Sequence, residues 1–110
     1  MKPLHFVGSS REDLRDLPES VRETAGHQLF KVQQGKEPDD WKPFGEVGPG
    51  TREIRIGAED VWFRLMYVAK FPEAVYVLHC FRKKTGATPK KDKEIAQARY
   101  RAVILERKKP

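Results

Sequence analysis

The feature that most constrains the fold is a series of three strand-like segments in the second half of the chain. Thr51–Ile56, Val61–Ala69 and Ala74–Arg82 are rich in β-branched and aromatic residues, which favour strands. The four-residue connections 57–60 and 70–73 are short enough for hairpins. Since strands joined by hairpins run antiparallel, the sequence predicts a three-stranded antiparallel meander.

Two helix patterns precede the meander. After a short strand at Leu4–Val7, Ser9 and Glu12 have the spacing of a capping box, in which each side chain bonds the other residue's backbone N–H. Pro18 suits the first position of a following helix, and Gly35 suits its end. An apolar stripe between them predicts a helix that packs on one side: Val21, Ala25, Leu29 and Val32. The two helices are expected to form a hairpin with one apolar face.

The connection 36–50 and the C-terminal segment complete the outline. Residues 36–50 contain three prolines and three glycines, so we expect a loop, pinned to the core by Trp41 and Phe44. Thr88 and Pro89 predict the cap and the first position of a final helix. Its expected apolar stripe comprises Ile95, Ala98, Ala102 and Leu105. The predicted class is α+β, with a short N-terminal strand, a helical hairpin, a three-stranded antiparallel meander and a C-terminal helix.

The charge balance limits the class of partner. The chain has 22 Lys and Arg against 16 Asp and Glu, a formal charge of +6, which permits association with nucleic-acid phosphates. Its 110 residues are expected to form a single domain, 1–110. The longest apolar run is too short to span a bilayer and no signal peptide opens the chain, so we expect a cytoplasmic protein without membrane contact.

Cysteine and histidine usage indicates neither a disulfide nor a metal site. Cys80 stands alone within an apolar run, so it has no intramolecular disulfide partner and is expected to be a buried structural thiol. His5, His27 and His79 are far apart and lack the spacing of a zinc site. We therefore expect no metal and no cofactor.

Strand alternation predicts what each face of the meander carries. With four residues in each turn, Ile56 opposes Val61 and Ala69 opposes Ala74. One face is then apolar and forms the core under the helical hairpin: Ile54, Ile56, Phe63, Leu65, Tyr67, Tyr76, Leu78 and Cys80. The other face is mixed and includes two arginines: Glu53, Arg55, Trp62, Arg64, Met66, Val77, His79 and Phe81.

The mixed face has more positive than negative charge. Lys83 continues it, and Lys84 follows where the strand ends, beside Arg55 and Arg64. Glu53 lies opposite Arg64 in this register, and a cross-strand pair of this kind is worth a few tenths to about 1 kcal/mol. One glutamate cannot balance four cations, so the pattern favours a groove that binds an anion such as phosphate. A solubilising charge cluster at the strand end is the alternative.

Five segments of the chain form a recognisable series: Arg52–Ile56, Phe63–Tyr67, Leu78–Thr85, Thr88-Pro89 and Glu94–Arg99. With them, the chain resembles the RelE/ParE superfamily of bacterial and phage toxins, and more closely its HigB-like, phage-derived branch. The order of elements agrees along nearly the whole chain. The pattern Phe-x-Lys-Lys-Thr, Thr-Pro and Ala-x-x-Arg is its most specific part.

The resemblance implies a RelE-like fold and the toxin of a type II toxin–antitoxin system. Such a toxin enters the ribosomal A site and cuts mRNA there, with the RNA 2′-hydroxyl as nucleophile and no metal. By their positions in the family pattern, Arg55, Arg64 and Lys84 would hold the scissile phosphate and stabilise its transition-state charge. Five further basic residues would contact the RNA: Arg52, Arg82, Lys83, Lys108 and Lys109.

The proton-transfer group departs from the family pattern. Where relatives have a tyrosine or a similar group, residues 86–89 read Gly-Ala-Thr-Pro and offer none. His79 could take this role, because histidine titrates near neutral pH, or it could be a packed strand histidine. Glu53 would be a poor base if it pairs with Arg64.

The expected partners follow from the same resemblance. They are the ribosome with its mRNA and a cognate antitoxin, a small helix-turn-helix protein encoded beside the toxin. Two other functions stay open: a ParE-like, non-enzymatic inhibitor of DNA gyrase, and a catalytically decayed relative that binds nucleic acid. The converging cations favour the endonuclease over the gyrase inhibitor, because gyrase inhibition does not require a phosphate-binding groove.

Overall fold

The computed structural model describes residues 1–84 and 86–110, and Thr85 of the basic motif lies outside the described residues. The described elements are, in order, β1 Leu4–Phe6, α1 Ser10–Arg15, α2 Glu19–Gln33, β2 Trp41–Pro43, β3 Thr51–Ala58, β4 Val61–Val68, β5 Val75–Lys83 and α3 Lys90–Lys108. The strands form one sheet in the order β1-β5-β4-β3-β2. β1 pairs with β5 in parallel, whereas the other neighbours are antiparallel. The α+β class and the central meander are confirmed.

β2 lies within the segment that we expected to be a loop. Trp41–Pro43 pairs with β3, so the loop prediction is wrong for these residues. Pro43 is acceptable there because β2 is an edge strand, where a missing N–H breaks no ladder. Trp41 packs under the guanidinium of Arg52, which lies 4.0 Å from the indole centroid, and Phe44 packs against the core.

Apolar clusters fill both sides of the sheet. The predicted α2 stripe is confirmed, since Val21, Ala25, Leu29 and Val32 are all buried against one face. α2 ends before Gly35, which has φ +84°. Leu14 and Leu17 pack against the same cluster. α3 covers the opposite face of the sheet.

The predicted stripe of α3 is wrong. The buried side chains of this helix are Ala96, Tyr100 and Val103, whereas Leu105 is 64% exposed and Ala98 and Ala102 are exposed. Tyr100 sets the rotation of the helix, because its ring packs on Gly48 and its hydroxyl donates to the Pro49 carbonyl at 2.7 Å. A prediction from the spacing of aliphatic residues alone does not include this contact of Tyr100.

A substitution at Gly48 tests how closely the Tyr100 ring packs against this position. A Cβ at position 48 would lie 2.5 Å from ring carbons of Tyr100, so Gly48→Ala is expected to lower the free energy of unfolding by about 1–3 kcal/mol. Urea denaturation measures the change. Gly45→Ala is the matched control, because nothing lies within 4 Å of its added Cβ. Equal stabilities of the two variants would show that the contact is loose.

The β3–β4 hairpin is tighter than assumed. Its turn consists of Glu59, at φ 55°, and Asp60, and Ala58 pairs with Val61. The register is therefore shifted by two residues from the predicted one, and Arg64 opposes Arg55 rather than Glu53. A shift of two keeps every side chain on its predicted face.

Because of a β-bulge between β4 and β5, the faces predicted for the first part of β5 are wrong. Met66 pairs with His79 but Tyr67 pairs with Val77, which leaves Leu78 as an extra residue. Tyr76 and Leu78 were predicted under the helical hairpin and instead pack beneath α3. Val77, predicted on the mixed face, packs in the cluster under α1 and α2.

The helix starts also differ in detail. Ser9 caps α1 by position, but no side-chain capping bond forms, so the predicted capping box with Glu12 is wrong. The Ser9 hydroxyl instead accepts a hydrogen bond from Arg99 at 2.7 Å. Pro18 and Pro89 occupy the N-cap positions of α2 and α3 rather than their first turns.

Cys80 is the buried thiol that the sequence predicts. Only 4% of its surface is exposed, and burial raises its pKa to about 12, so the thiolate is not populated near neutral pH. Among the described residues, no helix combines the length and the apolar character that crossing a bilayer requires.

Candidate functional site

Four basic side chains converge on the α3 side of the sheet, toward the β3–β4 hairpin. Arg64 lies between Arg55 on β3 and Phe81 on β5, and Lys83 pairs with Trp62 two positions further along. Lys42 on β2 pairs with Glu53 on β3 and shares this face. We call the set Lys42, Arg55, Arg64 and Lys83 the cationic face.

Glu53 anchors the centre of the cationic face. Its side chain is fully buried, and its Oε1 lies 3.1 Å from Arg64 Nε and 3.7 Å from Lys42 Nζ. The Thr88 hydroxyl, just ahead of α3, donates to its other oxygen at 3.4 Å. A buried carboxylate requires such partners because it has lost its water. The predicted Glu53–Arg64 pair is thus present, but it runs diagonally, because Glu53 pairs directly with Met66.

Arg55 is oriented by a carboxylate from outside the meander. Its Nε donates to Asp40 Oδ1 at 2.8 Å, and its second nitrogen lies 2.6 Å from the same oxygen. Both side chains are about two-fifths exposed, at 41% and 42%. An exposed ion pair of this kind is worth at most about 1 kcal/mol, so Arg55 stays available to a second anion.

Arg64 and Lys83 lie in an environment that disfavours their charge. Burial is the main cause of a lowered pKa for Arg64, and the neighbouring Arg55 adds to it. The pKa of Lys83 is lowered by burial first and by the charge of Arg64 second. Lys83 is 9% exposed and has no ion-pair partner among the described residues. An anion bound between these groups would relieve both effects.

The charges of this face do not cancel. Four cations, Lys42, Arg55, Arg64 and Lys83, face two carboxylates, Asp40 and Glu53, which leaves a surplus of two positive charges. A cleft of about 200 Å³ opens at this point, lined by Asp40, Arg55, Trp62 and Arg64. The arrangement can hold a phosphate between fixed guanidinium groups.

Lys83 and Lys84 do not have equivalent positions. Lys83 ends β5 on the cationic face, whereas Lys84 follows the strand and is exposed. Because side chains alternate along a strand, Lys83 is the lysine that faces Arg64. The predicted phosphate contact of Lys84 stays a prediction.

His79 is packed between three elements. Its Nε2 lies 2.7 Å from Asp92 of α3, its Nδ1 lies 3.5 Å from Asp13 of α1, and its ring stacks on Phe81. Arg99 also approaches Nδ1, at 3.4 Å. Both ring nitrogens therefore have protein partners, an arrangement typical of a structural histidine. Its role in proton transfer stays a prediction.

The predicted RNA-contact residues do not gather in one place. Arg52 and Arg82 pair with Tyr67 and Phe63, which places both on the opposite face of the sheet. Lys108 and Lys109 lie at the C-terminal end of α3, whose Arg107 bonds Glu73 in the β4–β5 connection. Arg52, Lys108 and Lys109 are remote from the hairpin end that carries Trp62 and Lys83, whereas Arg82 lies at that end but on the other side of the sheet. Only Lys83 of the five faces Arg64.

Two residues of the site were missed by the sequence analysis. Lys42 and Asp40 belong to the proline-rich segment that was predicted to be a loop. The alternation of Trp41, Lys42 and Pro43 is too short to indicate a strand on its own. In the part of the chain that the structure describes, no three His, Cys, Asp or Glu side chains are grouped to hold a metal ion.

Comparison with known proteins gives one family. Residues 12–101 match the model of a family described as "Phage derived protein Gp49-like (DUF891)", a family of RelE-like toxins. The match includes all four residues of the cationic face and ends before Lys108. No curated protein matches the chain in sequence.

Proposed function

Since the chain belongs to the Gp49-like family of phage-derived, RelE-like toxins, we propose that it is the toxin of a type II toxin–antitoxin system, of the HigB-like branch, and that it cleaves mRNA on the ribosome. The observation that carries the proposal is the surplus of positive charge around the buried Glu53–Arg64 pair. A surface that only solubilised the chain would have no reason to bury an arginine and a lysine beside one another.

The proposed reaction is an internal transfer within the RNA. The 2′-hydroxyl oxygen attacks the adjacent phosphorus and loses its proton to water, the bond from phosphorus to the 5′-oxygen breaks, and a 2′,3′-cyclic phosphate and a 5′-hydroxyl result. Arg55 and Arg64 would bind the non-bridging oxygens, where negative charge grows in the transition state. No metal is needed for this step, because the nucleophile belongs to the substrate and the charge is balanced by the arginines.

Lys83 is the group of the cationic face that is best suited to proton transfer. Arginine holds its proton at every physiological pH, whereas the pKa of Lys83 is lowered by burial and by Arg64. We assign Lys83 the donation of a proton to the departing 5′-oxygen. This assignment fills the place that the segment Gly86–Pro89 leaves without a tyrosine.

Trp62 gives the cationic face a surface for a nucleobase. Its side chain is 49% exposed, and its ring packs on Gly57, where an added Cβ would lie 3.0 Å from it. The Arg64 guanidinium lies 5.8 Å from the indole centroid. A nucleotide could therefore stack its base on Trp62 while its phosphate contacts Arg64 and Arg55.

Trp62→Ala is expected to weaken the binding of a short single-stranded RNA about tenfold, because a base–aromatic stack contributes about 1–3 kcal/mol. Trp62→Phe is expected to retain most of the affinity. Fluorescence anisotropy of a labelled RNA measures the difference. Phe30→Ala is the control, since Phe30 is similarly exposed but lies on α2. If the two alanine variants bind alike, Trp62 is not a stacking surface.

The endonuclease proposal is tested with purified protein, ribosomes and a defined mRNA. Primer extension is expected to show cuts that depend on the ribosome and on the protein. Intact mRNA together with DNA breaks and an SOS response would instead favour a ParE-like gyrase inhibitor. Salt-dependent RNA binding without any cleavage would identify a decayed relative.

The proposed partner is a small helix-turn-helix antitoxin encoded in the neighbouring reading frame. It would neutralise the toxin by covering the cationic face or its rim, where Trp62 offers exposed apolar area. Co-expression with that reading frame is expected to restore growth and to yield a stable complex.

A further inference from the structure

A second cleft lies on the other face of the sheet, beside α2. It has a volume of about 320 Å³ and lies between β3, β4 and the segment that follows α2. Its charged lining residues are Lys2, Lys36, Arg52, Lys70 and Glu37. Four cations against one carboxylate leave a surplus of three positive charges among the described lining residues. We call it the Tyr67 cleft, after the tyrosine in its lining.

The cations of the Tyr67 cleft are available to a ligand. None of the four forms an ion pair with a carboxylate in the described part of the chain, in contrast to the arginines of the cationic face. Arg52 is held in place by Trp41, since its guanidinium lies 4.0 Å from the indole centroid. Lys2 is anchored by the Ala69 carbonyl, to which its ammonium donates. The Lys70 ammonium lies 5.2 Å from the Phe71 ring centroid, so three of the four cations are positioned by contacts within the chain.

Tyr67 supplies an independent observation. The residue is fully buried, it contributes to the lining of the cleft, and its hydroxyl has no aligned hydrogen-bond partner among the described residues. Burial raises its pKa, and the Arg52 side chain, which can donate to the hydroxyl but cannot accept from it, opposes this rise. Buried hydroxyls nearly always have a partner, so this one indicates an acceptor that the chain itself does not provide.

We propose that the Tyr67 cleft binds a phosphate monoester or inorganic phosphate. A phosphate of this kind carries a charge of about −1.5 to −2 and three acceptor oxygens, which suits Arg52, the Tyr67 hydroxyl and one of the lysines better than a single carboxylate would. The hydroxyl is buried, so its contact with the anion requires a local movement of side chains in the wall of the cleft. This site is separate from the cationic face and does not depend on the proposed cleavage of RNA.

A titration of the ¹⁵N-labelled protein with inorganic phosphate, followed by amide chemical shifts, locates the site. Saturable shifts are expected at Gly50, Arg52, Tyr67 and Ala69. Tyr67→Phe is expected to weaken binding about tenfold without lowering the melting temperature, because it removes a donor that has no partner in the free protein. Arg52→Gln is the second variant, and Arg82→Gln is the control for an exposed cation elsewhere on the same face of the sheet.

The result also separates this proposal from the proposed function. Arg64→Gln is expected to leave the shifts of the Tyr67 cleft unchanged whether or not the protein cleaves RNA. Shifts confined to Trp62 and Arg64, or full affinity in both cleft variants, would overturn the proposal. Tighter saturation of the same amides by an acidic peptide would overturn it in favour of a protein partner. Comparing adenosine monophosphate with RNA that carries a 5′-phosphate or a 5′-hydroxyl then distinguishes a free nucleotide from an RNA end as the source of the phosphate.

Discussion

Arg64→Gln is expected to abolish growth inhibition and to slow ribosome-dependent RNA cleavage by a factor of about 10²–10³. Arg64 is the most buried arginine of the cationic face, and the Glu53 carboxylate 3.1 Å away fixes its guanidinium. A donor that is already in position stabilises transition-state charge without reorganisation. Cleavage rates from primer extension, with the protein in excess over ribosomes, give the size of the effect.

Folding must be separated from catalysis in this experiment. Removing Arg64 leaves Glu53 with Lys42 as its cationic partner, so the variant is compared at temperatures where circular dichroism shows it folded. Arg64→Lys keeps the charge but loses the planar fork, and intermediate activity is expected. Arg101→Gln, on the exposed side of α3, is the matched control. Full activity in a folded Arg64→Gln protein would contradict the assignment.

Glu53→Leu is expected to have the largest effect on stability, a loss of about 3–5 kcal/mol in the free energy of unfolding. The substitution introduces an apolar side chain of similar volume and leaves the buried Arg64 without its carboxylate. Lys42 is much less affected, because its side chain is 43% exposed and can turn to solvent. Urea denaturation of the wild type and the variant measures the loss.

Two further variants identify the cause. The double variant Glu53→Leu/Arg64→Leu is expected to recover most of the stability, because replacing both members of a buried pair by apolar groups removes the unpaired charge. Asp40→Ala removes the exposed carboxylate on Arg55 and is expected to cost at most about 1 kcal/mol. If Glu53→Leu and Asp40→Ala were equally mild, Glu53 would not anchor the face.

The faces of the meander could be predicted only where alternation is uninterrupted. Arg55 and Arg64 were placed correctly because an error of two residues at the Glu59-Asp60 turn preserves the parity of both strands. Tyr76 and Val77 were misplaced because the extra residue at Leu78 has no signal in composition or spacing. The rotation of α3 was missed for a different reason, since it depends on a contact between Tyr100 and a distant glycine.

The site was predictable to a similar extent. Charge excess and strand parity were enough to bring Arg55, Arg64 and Lys83 together. Asp40 and Lys42 reach the site through an edge strand of three residues, which is stabilised by pairing with β3 rather than by its own propensity. Sequence patterns indicate local conformational preference, so they do not predict a strand that forms only because a neighbouring strand pairs with it.

The bulge at Leu78 determines which side chains at the basic end of β5 lie beside Arg64. If the pairing of Tyr67 with Val77 continued without interruption, Arg64 would face Cys80 and Trp62 would face Arg82, and Phe81 and Lys83 would turn toward α2. The basic end of β5 is thus out of phase with the strand's beginning by one residue. Deleting Leu78 would remove the bulge and leave Phe81 and Lys83 on their present face. Losing the bulge without losing a residue would instead exchange the two sides of that end in a single step, replacing lysine by arginine beside Arg64 and withdrawing Phe81 from the core beneath α3.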